Sequence, residues 1–188
     1  MLLTESRPVH LQDTDAAAVF VQRLAGLEPM AWQLLFDQEF PRMYRFAYAR
    51  TGDPQLAEDI ASEVFAAAAQ GIARYRHTGA PIAAWLFRIA RNITADHLEK
   101  RRKRPQSSID DVEIESPAFS GQIDERTDLA YYIKRLSREQ QEVIALRFFN
   151  DCSLNESAHA LGKSVGAVKV LQHRALAALK KHMTQGKR

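Results

Sequence analysis

The side chains best suited to binding a nucleic acid lie near the carboxyl end of the 188-residue sequence. Glutamine can form two hydrogen bonds with adenine, and lysine or arginine can reach guanine or phosphate, so Lys169, Gln172 and Arg174 are candidates for base contacts. Apolar residues recur between them at helical spacing, which predicts a helix with one buried and one free face. The apolar residues are Val168, Leu171, Ala175 and Leu179. The alternative is a helical hairpin whose polar residues are simply solvated.

A second group, in the middle of the chain, mixes arginines with aromatic residues. Stacked aromatic rings and guanidinium groups can hold unpaired bases and their backbone, so this composition favours binding to single-stranded nucleic acid. The alternative is that the aromatic residues belong to the protein core, which is the commoner case for any single aromatic. The group comprises Arg74, Tyr75, Arg76, Trp85, Phe87, Arg88 and Arg91, with Asn92 beside them.

Catalytic and metal-binding patterns are weak by comparison. Glu156 and His159 form one E-x-x-H pattern, but a di-iron helical bundle needs two such motifs and further carboxylates. Cys152 is the single cysteine, which excludes an intrachain disulfide and a zinc site built on several thiolates. The sequence has no glycine-rich phosphate loop and no G-x-S-x-G motif. We therefore expect a protein that is not an enzyme and needs no cofactor or metal.

The sequence predicts long helices, and these would position the groups described above. Glycine and proline total only 15, and the stretches between them are rich in Ala, Leu, Arg, Glu and Gln, which are good helix formers. The pattern predicts an all-α fold. We expect one helix within residues 1–29, and three helices within residues 30–104. Asp53 followed by Pro54 marks the start of one of them, and Pro81 opens the helix that carries Arg88 to Asn92. Near the start of the Asp53 helix lie Glu58, Asp59 and Glu63, which favour the helix dipole or form an acidic binding edge.

Residues 105–127 carry six acidic side chains and one basic one, and show no sustained amphipathic period. They are predicted to be a flexible acidic linker. A second helical module is predicted over residues 128–188, where Ser137 with Gln140 and Ser153 with Glu156 match the capping-box pattern. Its predicted helices span Glu139 to Asn150, Leu154 to Leu161, and residues after the Gly162-Lys163-Ser164 turn. The last two form a helix-turn-helix.

Charge is distributed unevenly along the chain. Residues 29–104 carry 12 basic and 8 acidic side chains, and residues 128–188 carry 11 and 5, although the net charge of the whole chain is only +3. Two basic modules around an acidic connector are compatible with binding to a polyanion, and the alternative is ordinary surface charge, which the charge pattern alone does not exclude. The sequence contains neither a secretion signal nor an apolar stretch long enough to span a bilayer, so we expect a cytoplasmic protein without membrane insertion.

Three stretches resemble the extracytoplasmic function (ECF) group of sigma-70 family sigma factors, the promoter-specificity subunits of bacterial RNA polymerase. They are Thr51 to Phe65, Trp85-Leu86-Phe87-Arg88-Ile89-Ala90-Arg91-Asn92 with Asp96 to Leu98, and Leu136 to Lys181. The resemblance covers about 120 residues and implies that residues 30–104 are sigma region 2 and residues 128–188 are sigma region 4. It implies as partners core polymerase, through its β′ clamp helices and β flap, and promoter DNA. An anti-sigma factor is a further expected partner.

The resemblance also implies roles for individual residues. Asp59, Glu63 and Phe65 would contact the polymerase. Arg76, Arg88, Arg91 and Asn92 would hold melted minus-10 DNA, with a flipped base beside Asn92. Ser164, Lys169, Gln172, His173 and Arg174 would bind duplex minus-35 DNA. Apart from the resemblance, the basic run that ends a helix and enters the linker is expected to attract phosphate through Arg101, Arg102, Lys103 and Arg104.

The sequence departs from the family at two positions within these motifs. Ser62 stands where many members have Gln, and Val170-Leu171-Gln172 replaces the common Ser-Arg-Leu, so an arginine often used for promoter contact is missing. Two other classes of function are compatible with parts of the chain. One is a stand-alone LuxR-like helix-turn-helix regulator, which Leu136 to Lys181 alone would support. The other is a helical interaction protein with solvated basic faces. A regulator would need neither Asp59 to Phe65 nor Trp85 to Asn92.

Overall fold

The structure, a computed structural model, describes residues 14–77, 79–103 and 125–185. These residues form eight α-helices, one 3-10 turn and one π-helical turn, with no strand in the described ranges. The elements are α1 (Thr14–Ala25), α2 (Pro29–Thr51), α3 (Pro54–Gly71), the 3-10 turn Ile72–Arg74, α4 (Ile82–Lys103), α5 (Glu125–Lys134), α6 (Arg138–Ile144), the π-helical turn Ala145–Phe149, α7 (Leu154–Leu161) and α8 (Val165–Gln185). The all-α prediction is confirmed.

The ends of α2 and α3 follow from the local sequence. Gly52 ends α2 with φ of +68°, a left-handed conformation that suits glycine, and donates its N–H to the Tyr48 carbonyl. The side chain of Asp53 then accepts a 3.1 Å hydrogen bond from the Leu56 N–H, and Pro54 occupies the first position of α3. Pro41 lies inside α2, which is nevertheless continuous through it.

The second half departs from the sequence prediction in two places. α5 begins at Glu125, inside the predicted linker, and the other linker residues before it lie outside the described ranges. The helix predicted over Glu139 to Asn150 is instead α6 followed by the π-helical turn. The turn ends where the Asn150 amide donates to the Ala145 carbonyl and the Cys152 N–H donates to the Leu146 carbonyl, both at 3.0 Å. Both capping boxes, at Ser137 and Ser153, are present as predicted.

One apolar core joins the two halves of the chain. Phe46, Leu86 and Phe87 from α2 and α4 belong to the same cluster of buried side chains as Leu146, Leu161 and Val168 from the second half. α2 packs on α3, α4 and the π-helical turn, while α4 packs on α7. Within the described parts of the chain, no helix is both long and apolar enough to cross a membrane.

Candidate functional site

An acidic edge runs along α3. Asp59 and Glu63 are one helical turn apart and both exposed. Glu63 lies 3.0 Å from His97 Nε2 of α4, and Asp59 accepts a 3.4 Å hydrogen bond from the Gln55 amide. Carboxylates held on a rigid helix face are available to a cationic partner.

Phe65, expected to contact a partner directly, is only 8% exposed. Its ring packs against Phe36 and Phe40 of α2, with ring centroids 4.9 and 6.0 Å away. Phe36 is 41% exposed and lines a shallow cleft with Trp32 and Phe65. Phe65 therefore supports an apolar patch that Phe36 presents. The helical spacing of Phe36 in the sequence is equally typical of a core residue, so its exposure could not be predicted.

Five of the basic and aromatic residues of the middle of the chain line a cleft of about 300 Å³. Tyr75 and Trp85 lie side by side with ring centroids 4.8 Å apart, and burial raises the pKa of the Tyr75 phenol above its ordinary value. His159 of α7 also lines the cleft, so its wall combines both halves of the chain. The cleft is lined by Arg74, Tyr75, Arg76, Ala80, Pro81, Ala84, Trp85, Arg88 and His159.

The four residues expected to hold melted DNA differ in their surroundings. Arg76, Arg88 and Asn92 are exposed. Arg91 is half-buried, and its Nη1 donates to the Leu161 carbonyl at 2.9 Å and to the Ala160 carbonyl at 3.5 Å. These carbonyls end α7, where the helix leaves acceptors unpaired and its dipole favours a cation. Phe87, in contrast, is fully part of the core, with the Arg42 guanidinium 5.1 Å from its ring centroid.

The helix-turn-helix of α7 and α8 has the predicted form. Gly162 ends α7 with φ of +64°, and the Ser164 hydroxyl accepts a 3.2 Å hydrogen bond from the Ala167 N–H at the start of α8. Val168 and Ala175 are fully buried, whereas Lys169, His173 and Arg174 are exposed on the opposite side. The first turns of α8 thus present a polar face of the size that enters a major groove.

Gln172 is positioned differently from its polar neighbours. It is half-buried, and its Oε1 accepts a 3.0 Å hydrogen bond from Arg147 Nε of the π-helical turn. Arg147 also donates through Nη1 to the Cys152 carbonyl. The Gln172 oxygen is therefore hydrogen-bonded within the protein. The local sequence does not indicate this bond, because Arg147 lies 25 residues away.

The basic end of α4 is exposed but partly paired. Arg101 lies 3.6 Å from the Asp53 carboxylate, and Lys103 lies 2.6 Å from Glu99. Arg102 is exposed, and Arg104 lies outside the described residues. Over residues 14–77, 79–103 and 125–185, no group of three or more His, Cys, Asp or Glu side chains could hold a metal ion.

Two family models match this chain. Residues 35–104 match the model described as sigma-70 region 2, and residues 132–181 match the model described as sigma-70, region 4. The first match spans α2, α3 and α4 from Leu35 onward, and the second spans the last three residues of α5 through most of α8.

Curated relatives are described as ECF RNA polymerase sigma factors. The chain is 34% identical over 179 residues to the ECF RNA polymerase sigma factor BldN of Streptomyces coelicolor, covering 92% of this chain and 68% of BldN. It is 33% identical over 175 residues to the ECF RNA polymerase sigma factor SigD of Mycobacterium bovis, covering 87% of this chain and 81% of SigD.

Solved structures share the fold. CnrH in complex with the cytosolic domain of CnrY matches with a TM-score of 0.67 at 22% identity, covering 90% of this chain and 97% of CnrH. The sigma factor RpoE of Bartonella quintana, in complex with the anti-sigma factor NepR, matches with a TM-score of 0.63 at 28% identity, covering 81% of this chain and 96% of RpoE.

Proposed function

The chain belongs to the ECF sigma factors of the sigma-70 family. We propose which surfaces bind core polymerase, melted minus-10 DNA and duplex minus-35 DNA. The protein is a transcription initiation factor, not an enzyme: it binds bacterial core RNA polymerase and directs it to promoters, and the polymerase performs the synthesis. Residues 30–104 act as region 2 and residues 128–188 as region 4. We further propose that the protein works in the cytoplasm.

The exposed carboxylates Asp59 and Glu63 dock on the β′ clamp helices of the polymerase. Their exposure and their spacing of one turn on α3 support this assignment. Phe36 and Phe40 of α2 and Phe65 of α3 form an aromatic patch. The patch adds apolar contact area beside the charges of α3. Charge complementarity then guides the encounter, and the apolar contact slows dissociation.

Melted minus-10 DNA is held by α4 and the cleft in front of it. Arg76 and Arg88 supply charge for the backbone, and the Tyr75 and Trp85 rings supply a stacking surface. The exposed Asn92 amide can both donate to and accept from the edge of an extruded base. The observation that carries the proposed function is this cleft, where cations and aromatic rings line one cavity.

Duplex minus-35 DNA is bound by the amino-terminal half of α8. Lys169, His173 and Arg174 are exposed there and face away from the core, and Ser164 caps the helix. Arg101 and Arg102 at the end of α4 attract phosphate without distinguishing bases. The β flap of the polymerase is the proposed partner of the second module.

Run-off transcription with core polymerase tests the proposal. The chain should direct initiation from a cognate promoter identified by selection from a random library, and core polymerase alone should not. A LuxR-like regulator would instead bind duplex DNA alone and leave core polymerase unable to initiate at that promoter. The match of residues 35–104 to sigma region 2 disfavours that alternative.

An anti-sigma factor is also a proposed partner. The support is the similarity to RpoE of Bartonella quintana, which was solved with the anti-sigma factor NepR. A purified candidate inhibitor encoded beside this protein should form a complex with it and block run-off transcription.

A further inference from the structure

A histidine of the neighbouring helix holds Glu63, one of the two carboxylates of the acidic edge of α3. His97 Nε2 of α4 lies 3.0 Å from Glu63 Oε1 and 3.1 Å from Glu63 Oε2. An ionised carboxylate has no proton to give, so the proton of this contact belongs to Nε2, which donates to both oxygens. The contact therefore fixes the orientation of the Glu63 carboxylate.

The position of His97 on α4 keeps its ring close to the protein. Ala90 and Thr94 are buried, and His97 follows them on the same side of α4, because residues three or four apart share a helix face. The His97 side chain is only 25% exposed, whereas the Glu63 side chain is 51% exposed. His97 is thus partly enclosed, while about half of Glu63 is accessible to a partner.

His97 is the basic group that acts on the acidic edge. Among the described residues it makes the one contact of Glu63 with a basic side chain, and Asp59 makes none. Arg101, one turn further along α4, instead lies 3.6 Å from Asp53. The other charged or titratable groups on this part of α4 and on the helices packed against it are Lys100 of α4, Glu58 of α3, Arg50 of α2, which pairs with Glu142, and Glu156 and His159 of α7.

The charge of the acidic edge therefore depends on whether His97 carries a second proton. Histidine is the side chain whose charge ordinarily changes between about pH 5 and 8. When His97 is neutral, the edge has the full negative charge of Asp59 and Glu63. When His97 is protonated, its positive charge balances one of these two carboxylates.

We propose that His97 is a positioning residue for the docking of α3 on core polymerase. Neutral His97 orients the Glu63 carboxylate towards a cationic group of the polymerase, whereas protonated His97 balances that carboxylate and weakens docking. This inference rests on the proposed docking role of α3. A cation that approaches Glu63 also repels the imidazolium, so binding displaces a proton from His97. The affinity for polymerase consequently falls as the pH falls, because the coupling between proton and polymerase is reciprocal.

The test compares the wild type with three variants of the full chain, titrated against core polymerase at pH 6, 7 and 8 and constant ionic strength. His97→Gln keeps a neutral N–H donor that does not titrate. His97→Arg carries a permanent positive charge. The matched control is His182→Gln, which removes a histidine from the last turn of α8, a helix that packs on α5, α6 and α7. Circular dichroism at each pH shows whether each variant keeps its helices.

The polymerase contributes a pH dependence that is common to all variants, so the result is the difference between them. We expect the ratio of the affinities at pH 8 and pH 6 to be about three- to fivefold larger in the wild type and in His182→Gln than in His97→Gln, as for the loss of one exposed ion pair. His97→Gln should bind within about twofold of the wild type at pH 8. His97→Arg should bind about three- to fivefold more weakly than His97→Gln at every pH.

Three results would overturn the proposal. The first is a pH dependence of His97→Gln equal to that of the wild type, and the second is equal binding by His97→Arg and His97→Gln. The third is loss of binding at every pH by a folded His97→Gln, which would place the imidazole itself in the interface. If His97→Arg loses its helices, His97→Gln decides alone.

The double variant Asp59→Arg/Glu63→Arg separates the failure of this inference from that of the proposed function. If the folded double variant binds core polymerase normally, α3 is not the docking surface, and the role of His97 is refuted with it. If the double variant does not bind while His97→Gln keeps the wild-type pH dependence, α3 remains the docking surface and only the role of His97 is refuted.

Discussion

Arg91 illustrates how one side chain can serve two surfaces. Its guanidinium satisfies the last carbonyls of α7, yet it lies one residue before Asn92 on the helix assigned to melted DNA. The position of Arg91 in the sigma-like motif predicts a role in binding DNA. It does not indicate the α7 contact, because that contact joins residues 70 positions apart. Asn92 is exposed and is the cleaner residue on which to test DNA capture.

Asn92→Ala should impair opening of duplex promoters, because the amide that bonds the extruded base is removed. Permanganate footprinting of holoenzyme complexes should show weaker reactivity, and base changes at one minus-10 position should lose their effect. Asp96→Ala is the control, as Asp96 is exposed one turn further along α4. Normal melting with unchanged base preference in Asn92→Ala would place the base pocket elsewhere.

Substitutions of the exposed residues of α8 should affect promoter binding differently from a substitution of Gln172. Lys169→Ala or Arg174→Ala should cost about 1–3 kcal/mol at one minus-35 base pair and relax the preference there. Gln172→Ala should instead weaken binding to all promoters similarly, because it removes the acceptor of Arg147 Nε, leaves only the bond from Nη1 to the Cys152 carbonyl, and disturbs the position of α8. Holoenzyme affinities for a panel of minus-35 variants measure both effects. A base-selective loss from Gln172→Ala would restore the original hypothesis that it contacts a base.

At the scale of the helix, sequence signals were most informative where they are local. The Asp53 cap, the proline that follows it, and both capping boxes each depend on residues within a few positions of one another, and all appear as predicted. The π-helical turn was missed because its apolar residues also fit an ordinary α-helix. The turn also makes contacts that no local pattern indicates, since α2 packs directly on it and Arg45 donates to the Phe149 carbonyl.

The acidic edge of α3 gives a prediction at this scale. Asp59→Arg with Glu63→Arg should abolish pull-down of core polymerase while preserving the helical circular dichroism spectrum, because both side chains are exposed. Gln70→Arg, at an exposed position about two turns further along the same helix, controls for added positive charge. Undiminished pull-down by the folded double variant would exclude this edge from the polymerase interface.

At the scale of the whole molecule, the two modules were predicted but their packing was not. Arg42, Arg45 and Arg50 resemble surface charges in the sequence, because nothing local shows that each will meet the second module. An acidic connector of low periodicity also favours independent modules. The packing depends on contacts such as Arg50 with Glu142 that no sequence pattern indicates.

Cys152 links this packing to alkaline stability. Burial raises the pKa of its thiol to about 11, although Arg42 acts in the opposite direction. The unfolded thiol has a pKa near 9, so above this pH the unfolded state loses a proton that the folded state keeps until about pH 11. The contribution of the thiol to stability is therefore complete below about pH 9 and is lost as the pH rises towards 11. The free energy of unfolding should therefore fall between about pH 9 and 11 more steeply in the wild type than in Cys152→Ala. Denaturant titrations at each pH measure this, and parallel pH profiles would contradict it.

The separation of the α4 and α7 contact along the chain also sets an order of events during synthesis. Leu161 is made 70 residues after Arg91. At about 5–20 residues per second, the stretch from the end of α4 at Lys103 to Leu161 takes roughly 3–12 seconds to translate. In the nascent chain Arg91 therefore has no α7 carbonyl to bind until the second module has been made.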